Sequence, residues 1–419
     1  MGVCAVTAYK GNRVIAYRVL PNENEVGCDK GQKKNEGVKS IQQSPMTRQK
    51  LEQRLAALEG GGVAIAIPAA CSRLHLLAST FLAAGQHMLC APRLPQTRTV
   101  ETEGSTDRPN DERFRIADLD RISIKEQLRP ETGAIYLEVL AQPQLLVPDF
   151  SAIASIASSK GIPLIVDNTA GLGGYVCRPF RHGADFILSD TRPWLHGLRA
   201  PGMILIDRGT YISDSREPSQ LGGSLSTGQI GQANDSSKVK TLTENDFSQK
   251  MCIASAIAQD CGCSRDPLPV PKGDRIGLHS LSTLSLRAQR CSDNARSLAH
   301  WLDQHHLVDW VCYPGLPYHP TFKLAKQYLR HGFGRNLSFG MRSEVVVDQN
   351  LFESFRVITT QRSMDPVATC ICYGPAVGVA ESHIHVLDFG RQSEFQVATG
   401  IEYIDDLIAD FMQAFAEAT

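Results

Sequence analysis

The chain has 419 residues, 42% of them hydrophobic, and a formal net charge of -1. That length is enough for two domains with their own cores. The balanced charge excludes a phosphate-neutralising nucleic-acid binder, and no apolar run approaches the ~20 residues that span a bilayer. The start, Met1 to Val6, lacks the basic and apolar regions of a secretory signal. Val6 stands where myristoylation wants Ser or Thr. The 12 cysteines are scattered and have no zinc-type spacing. They read as reduced thiols of a cytoplasmic protein, with no metal expected.

Residues 1–46 form a polar arm whose one structural signal is a weak strand at Arg13–Arg18. A helix capped at Thr47 follows, with Leu51, Leu55 and Leu58 on one face and Gly60-Gly61-Gly62 ending it. Short apolar runs then alternate with helical stretches. Val63–Ile67, His87–Ala91, Ala134–Val139, Pro163–Val166, Asp185–Leu188 and Gly202–Ile206 read as buried strands, and Asp149–Ser159 as a connecting helix. This pattern predicts an α/β fold with a mostly parallel sheet covered on both faces. The span 211–248 is rich in Ser, Gly, Asn and Gln and reads as a long loop. Beyond it, Leu284, Ala288, Cys291, Ala295, Leu298 and Leu302 repeat at helical spacing. A helix at 321–329, a strand at Asn336–Gly340 and a closing helix striped by Ile404, Leu407, Phe411 and Phe415 complete a smaller C-terminal α/β domain. The division expected is an arm (1–46), a large domain (47–255) and a small domain (256–419).

Leu51–Gly60, Val147–Ile153, Gly161–Thr169, Gly173–Pro179, His182–Asp185, Tyr313–Pro317, Leu337–Gly340 and Gly400–Asp406 form an ordered set of segments. Together they resemble O-acetylhomoserine sulfhydrylases and cystathionine gamma-synthases of the cysteine/methionine family. The resemblance runs from about residue 47 to the end. It implies a fold-type I pyridoxal-phosphate (PLP) architecture: a large cofactor domain, a small domain closing over it, and a homodimer or tetramer.

The family's cofactor lysine follows the strand after His-Gly-Ala-Asp, in a Ser-x-Thr-Lys-Trp motif. Here the stretch reads Ser189-Asp190-Thr191-Arg192-Pro193-Trp194. Pro193 lies opposite the lysine, or Arg192 after a one-residue slip, and neither side chain is a Schiff-base amine. No lysine occurs from Gly161 to Ser237. Ala69-Ala70-Cys71 replaces the phosphate cup, Asp190 a phosphate-binding serine, Pro95 the stacking tyrosine, and Gln396 the arginine for the substrate carboxylate. Asp167, the partner of the pyridine nitrogen, remains, although a strand-end aspartate also serves simply to cap the next turn.

The pocket expected from these positions contains Cys71, Ser72, Arg73, Asp167, Asp190, Arg192, His196, Tyr373 and Gln396. Asp190, Arg192 and Asp167 are the catalytic candidates, set against a structural salt bridge filling a vacated cavity. For Cys71 the favoured reading is a buried thiol, and for His196 a partly exposed loop histidine. The expectation is therefore a repurposed enzyme that uses no cofactor and works by acid/base chemistry on a small molecule such as a secondary metabolite. One alternative is an inactive paralogue bound to an active sulfhydrylase. Another is a conventional PLP enzyme using Lys238, Lys240 or Lys250.

Overall fold

The computed structural model describes residues 6–10, 13–17, 45–67, 73–91, 113–116, 121–142, 144–195, 202–209, 271–342, 349–360, 367–373 and 394–417. The chain divides into two compact units, Met1–Gln42 and Gln43–Thr419. In the first, β1 (Val6–Lys10) and β2 (Arg13–Tyr17) form an antiparallel hairpin.

The second unit opens with α1 (Pro45–Glu59), β3 (Val63–Ile67), α2 (Arg73–Phe81), β4 (His87–Ala91), β5 (Phe114–Ile116) and α3 (Arg121–Gln127). It continues through β6 (Thr132–Glu138), α4 (Phe150–Ser159), β7 (Leu164–Asp167), β8 (Phe186–Asp190) and β9 (Met203–Asp207). These strands make one seven-stranded sheet in the order β3-β9-β8-β7-β6-β4-β5. Four of its six pairings are parallel, and β9 runs antiparallel to both neighbours. The expected mostly parallel sheet is therefore present, with one reversed strand. The short β5 carries no readable apolar run in the sequence.

After residue 270 come α5 (Pro271–Ser282), α6 (Leu284–Asp303), β10 (Val308–Cys312), α7 (Phe322–Tyr328), β11 (Asn336–Met341), α8 (Gln349–Ser354), β12 (Cys370–Tyr373), β13 (Glu394–Ala398) and α9 (Ile404–Glu417). The four strands form an antiparallel sheet, β10-β11-β13-β12. Of these strands only β11 is legible in the sequence. The expected long loop at 211–248 lies outside the described residues.

Both faces of the large sheet are buried, and strand alternation sorts the side chains between them. Ile135, Leu137, Val166 and Ile187 join the core that holds Leu51, Phe150 and Trp194. Ala134, Tyr136, Ile165 and Leu188 join the opposite core with Leu76, Leu77 and Phe81 of α2. A third core, built on Phe339, Phe395, Phe411 and Phe415, holds the small sheet against α6 and α9. Gly173 is held at φ +64°, and a Cβ there would come 2.9 Å from Trp194, so this turn of the resemblance set requires glycine.

Glu59 ends α1 in a buried site, where both its oxygens accept from the Asn168 side-chain amide at 2.9 and 2.8 Å. Burial pushes its carboxyl up from 4.5 to about 8, against the lowering effects of Asn168 and Arg178. A raised acid pKa means that the folded state holds the proton longer than the unfolded one. Glu59 therefore costs no stability below pH 4.5, and its cost grows as pH climbs to about 8. We expect Glu59→Gln to leave the melting temperature nearly unchanged at acid pH and to raise it by several degrees above pH 8. The scale follows from proton affinity, each tenfold change in which is worth about 1.4 kcal/mol. Parallel thermal melts across that range would check this.

Candidate active site

Three neighbouring parallel strands end in carboxylates: β6 in Glu138, β7 in Asp167 and β8 in Asp190. Each lies two residues beyond a side chain packed against α2 (Tyr136, Ile165 and Leu188), so strand alternation turns all three to that face. This is the carboxyl edge of the sheet, where open α/β sheets bind ligands. Arg73, the first residue of α2, reaches the same place.

Asp167 is saturated. Its Oδ1 accepts from the Thr169 N–H at 2.9 Å and the Thr169 hydroxyl at 2.5 Å. Its Oδ2 accepts from Arg73 Nη1 at 2.5 Å and the Tyr136 hydroxyl at 2.9 Å. The turn-capping role and the buried ion pair therefore coexist. Burial opposes the charge of Arg73, but the adjacent Asp167 outweighs it and keeps the guanidinium protonated. Burial, and then Asp167, raise the Tyr136 hydroxyl well above its ordinary range.

Asp190 and Arg192 pair across one turn as expected. Arg192 Nη2 donates to Oδ2 at 2.6 Å, and its Nε to Oδ1 at 2.9 Å. Thr169 joins the two pairs, because its hydroxyl oxygen also accepts from the Asp190 N–H at 2.9 Å. Glu138 lies beside them, raised to about 8 by burial and by Asp167.

The other expected residues are not all brought together. Cys71, Ser72 and His196 lie outside the described residues. So do Pro95, Ala69 and Ala70. Tyr373 ends β12. Gln396 lies on β13 opposite Ser338 and Cys372, with its Nε2 buried and unpartnered among the described residues. Arg335, not expected from the sequence, links this strand to the Pro193 turn. Its Nη1 donates to the Pro193 carbonyl at 2.9 Å and its Nη2 to the Ala398 carbonyl at 3.4 Å. Arg287 holds the next residue through the Trp194 carbonyl at 2.8 Å. Glu138 and Tyr136 are also absent from the expected set, although an acidic residue closing each of three apolar strands is a readable signal.

The architecture belongs with fold-type I PLP enzymes. It superposes on the O-acetylhomoserine (thiol)-lyase of Campylobacter jejuni with a TM-score of 0.70 at 23% identity, covering 88% of this chain and 86% of that one. The family described as Cys/Met metabolism PLP-dependent enzyme matches residues 23–416, and the chain belongs to it. The homocysteine synthase of Schizosaccharomyces pombe is 32% identical over 387 residues, covering 88% of this chain and 84% of its own. The homocysteine/cysteine synthase of Saccharomyces cerevisiae is 31% identical over 388 residues, covering 87% and 83%.

These findings correct two expectations. The family is PLP-dependent by its description, and the relatives carry synthase names. Cofactor-independent acid/base catalysis by a repurposed enzyme, and the absence of any cofactor, therefore do not stand. Conventional PLP-dependent sulfhydrylase or lyase chemistry is the better supported reading. The altered positions are a small part of the chain, whereas the family match spans nearly all of it.

The residues nevertheless fit PLP only in part. Asp167, the position that the resemblance assigns to the ring nitrogen, has all its acceptor positions filled. No lysine occurs between Gly161 and Ser237. No reaction step through the cofactor follows from these residues.

The Asp190–Arg192 pair is asymmetric, because the Arg192 side chain is 25% exposed and that of Asp190 only 7%. Arg192→Ala leaves a buried carboxylate behind and is expected to cost about 3 kcal/mol. Asp190→Asn leaves a guanidinium that water can reach, at about 1 kcal/mol. Urea denaturation of the two variants would measure the difference.

Proposed function

We propose that this chain is a PLP-dependent sulfhydrylase or lyase whose Schiff-base amine comes from outside the family's lysine position. The observation that carries this reading is the family match over residues 23–416. Asp167 supports it as the residue placed to meet the ring nitrogen. Asp190, Arg192 and Gln396 would line the substrate side, with Cys71, Ser72, His196 and Tyr373 as further candidates. Lys238, Lys240 and Lys250 are the nearest lysines downstream. A cytoplasmic homo-oligomer with a small-molecule substrate accords with this reading, as does a large domain to about 255 with a smaller one after it.

A second reading has its own observation. The stretch that should carry the lysine has none, and Asp167 has no acceptor position left. A non-catalytic subunit that assembles with an active paralogue accounts for both, with the fold kept and the site altered.

One experiment separates the two. The purified protein is incubated with PLP, reduced with borohydride and mapped by mass spectrometry, and homocysteine formation from O-acetylhomoserine and sulfide is assayed in parallel. The first reading expects a pyridoxyl adduct on Lys238, Lys240 or Lys250 together with product. An unmodified chain without product, found with an active sulfhydrylase in native mass spectrometry, supports the second. Under the first reading, Pro193→Lys is expected to gain a pyridoxyl adduct at position 193.

A further inference from the structure

We propose that Arg73 is a built-in competitor for the cofactor's ring nitrogen, occupying Asp167 and weakening the binding of any pyridoxal-type ring. This rests on the reading of the site as a PLP site and adds a residue that governs its occupancy.

A carboxylate offers about four acceptor positions. In Asp167 the Thr169 N–H and hydroxyl take two, the Tyr136 hydroxyl takes the third, and Arg73 takes the fourth. The first three are fixed. Thr169 belongs to the turn that Asp167 itself caps, and Tyr136 is wholly buried on the adjacent strand. Arg73 differs, because its side chain is 18% exposed whereas that of Asp167 is 3% exposed. It is the more exposed partner on Oδ2, so a ring that reaches this oxygen has to displace it.

The guanidinium also does the work of a protonated ring nitrogen. Each offers a cationic N–H to a buried carboxylate, and such charge-assisted bonds are roughly twice as strong as neutral ones. Asp167 is therefore satisfied without a ligand. Apparent affinity falls by the fraction of molecules in which the carboxylate is free. Arg192 does not fill the gap, because its guanidinium is committed to Asp190.

The test measures ring binding by equilibrium dialysis with pyridoxine 5′-phosphate, which has the ring and phosphate but no aldehyde. It therefore reads the site without requiring any lysine. Wild type is compared with Arg73→Met, which keeps the apolar stem, and Arg73→Gln, which keeps a neutral donor; circular dichroism establishes that each is folded. At least tenfold tighter binding by Arg73→Met, with Arg73→Gln between it and wild type, is expected. Equal or weaker binding by folded Arg73→Met overturns the proposal. If Arg73→Met does not fold, Arg73→Gln decides on the same criterion. Tighter ring binding without any lysine adduct or product in the preceding assay would leave this inference standing while the enzymatic reading fell.

Discussion

The contact between Arg73 and Asp167 organises this end of the molecule. A carboxylate at the end of a buried strand needs donors on every side, because desolvating it without them is costly. Three donors come from the strand ends and the following turn, and the fourth from the first residue of a helix on the same face of the sheet. Thr169 then ties Asp167 to Asp190, and Asp190 holds Arg192. The outcome is a closed polar lattice at an edge where the fold ordinarily leaves room for a ligand.

That lattice explains how family membership and the local residues point in different directions. The fold is carried by cores and turns: alternating strand faces packed between helices, and Gly173 against Trp194. Chemistry is carried by a few side chains at one edge. A fold of this kind hosts many functions, so its retention says nothing by itself about the turn at Arg192 and Pro193. Arg335 and Arg287 hold that turn through backbone carbonyls, and such contacts are indifferent to whether residue 193 is a lysine or a proline.

Legibility in the sequence followed burial. The long apolar runs of β3, β4, β6, β7, β8 and β9 announced themselves, as did α6 and α9 with their helical stripes. The small sheet did not. β10 includes the exposed Asp309, and β12 is four residues long. β13 is a five-residue strand with Glu and Gln at alternate places. Such strands form because their neighbours pair with them, and pairing leaves little trace in a short segment. In the site, the Asp190–Arg192 pair was legible because its members are two residues apart. The tie between Arg73 and Asp167 spans 94 positions, and Arg335 meets Pro193 across 142.

Residue identity and order are enough for the family, for the alternation of strand and helix between residues 63 and 206, and for the lack of lysine from Gly161 to Ser237. Only folding brings Glu138, Asp167 and Asp190 to one face, sets Arg73 on the last acceptor of Asp167, and braces the Pro193 turn with Arg335. Strand register and helix placement set these contacts. Both depend on which segments pack together, a choice made by the core as a whole.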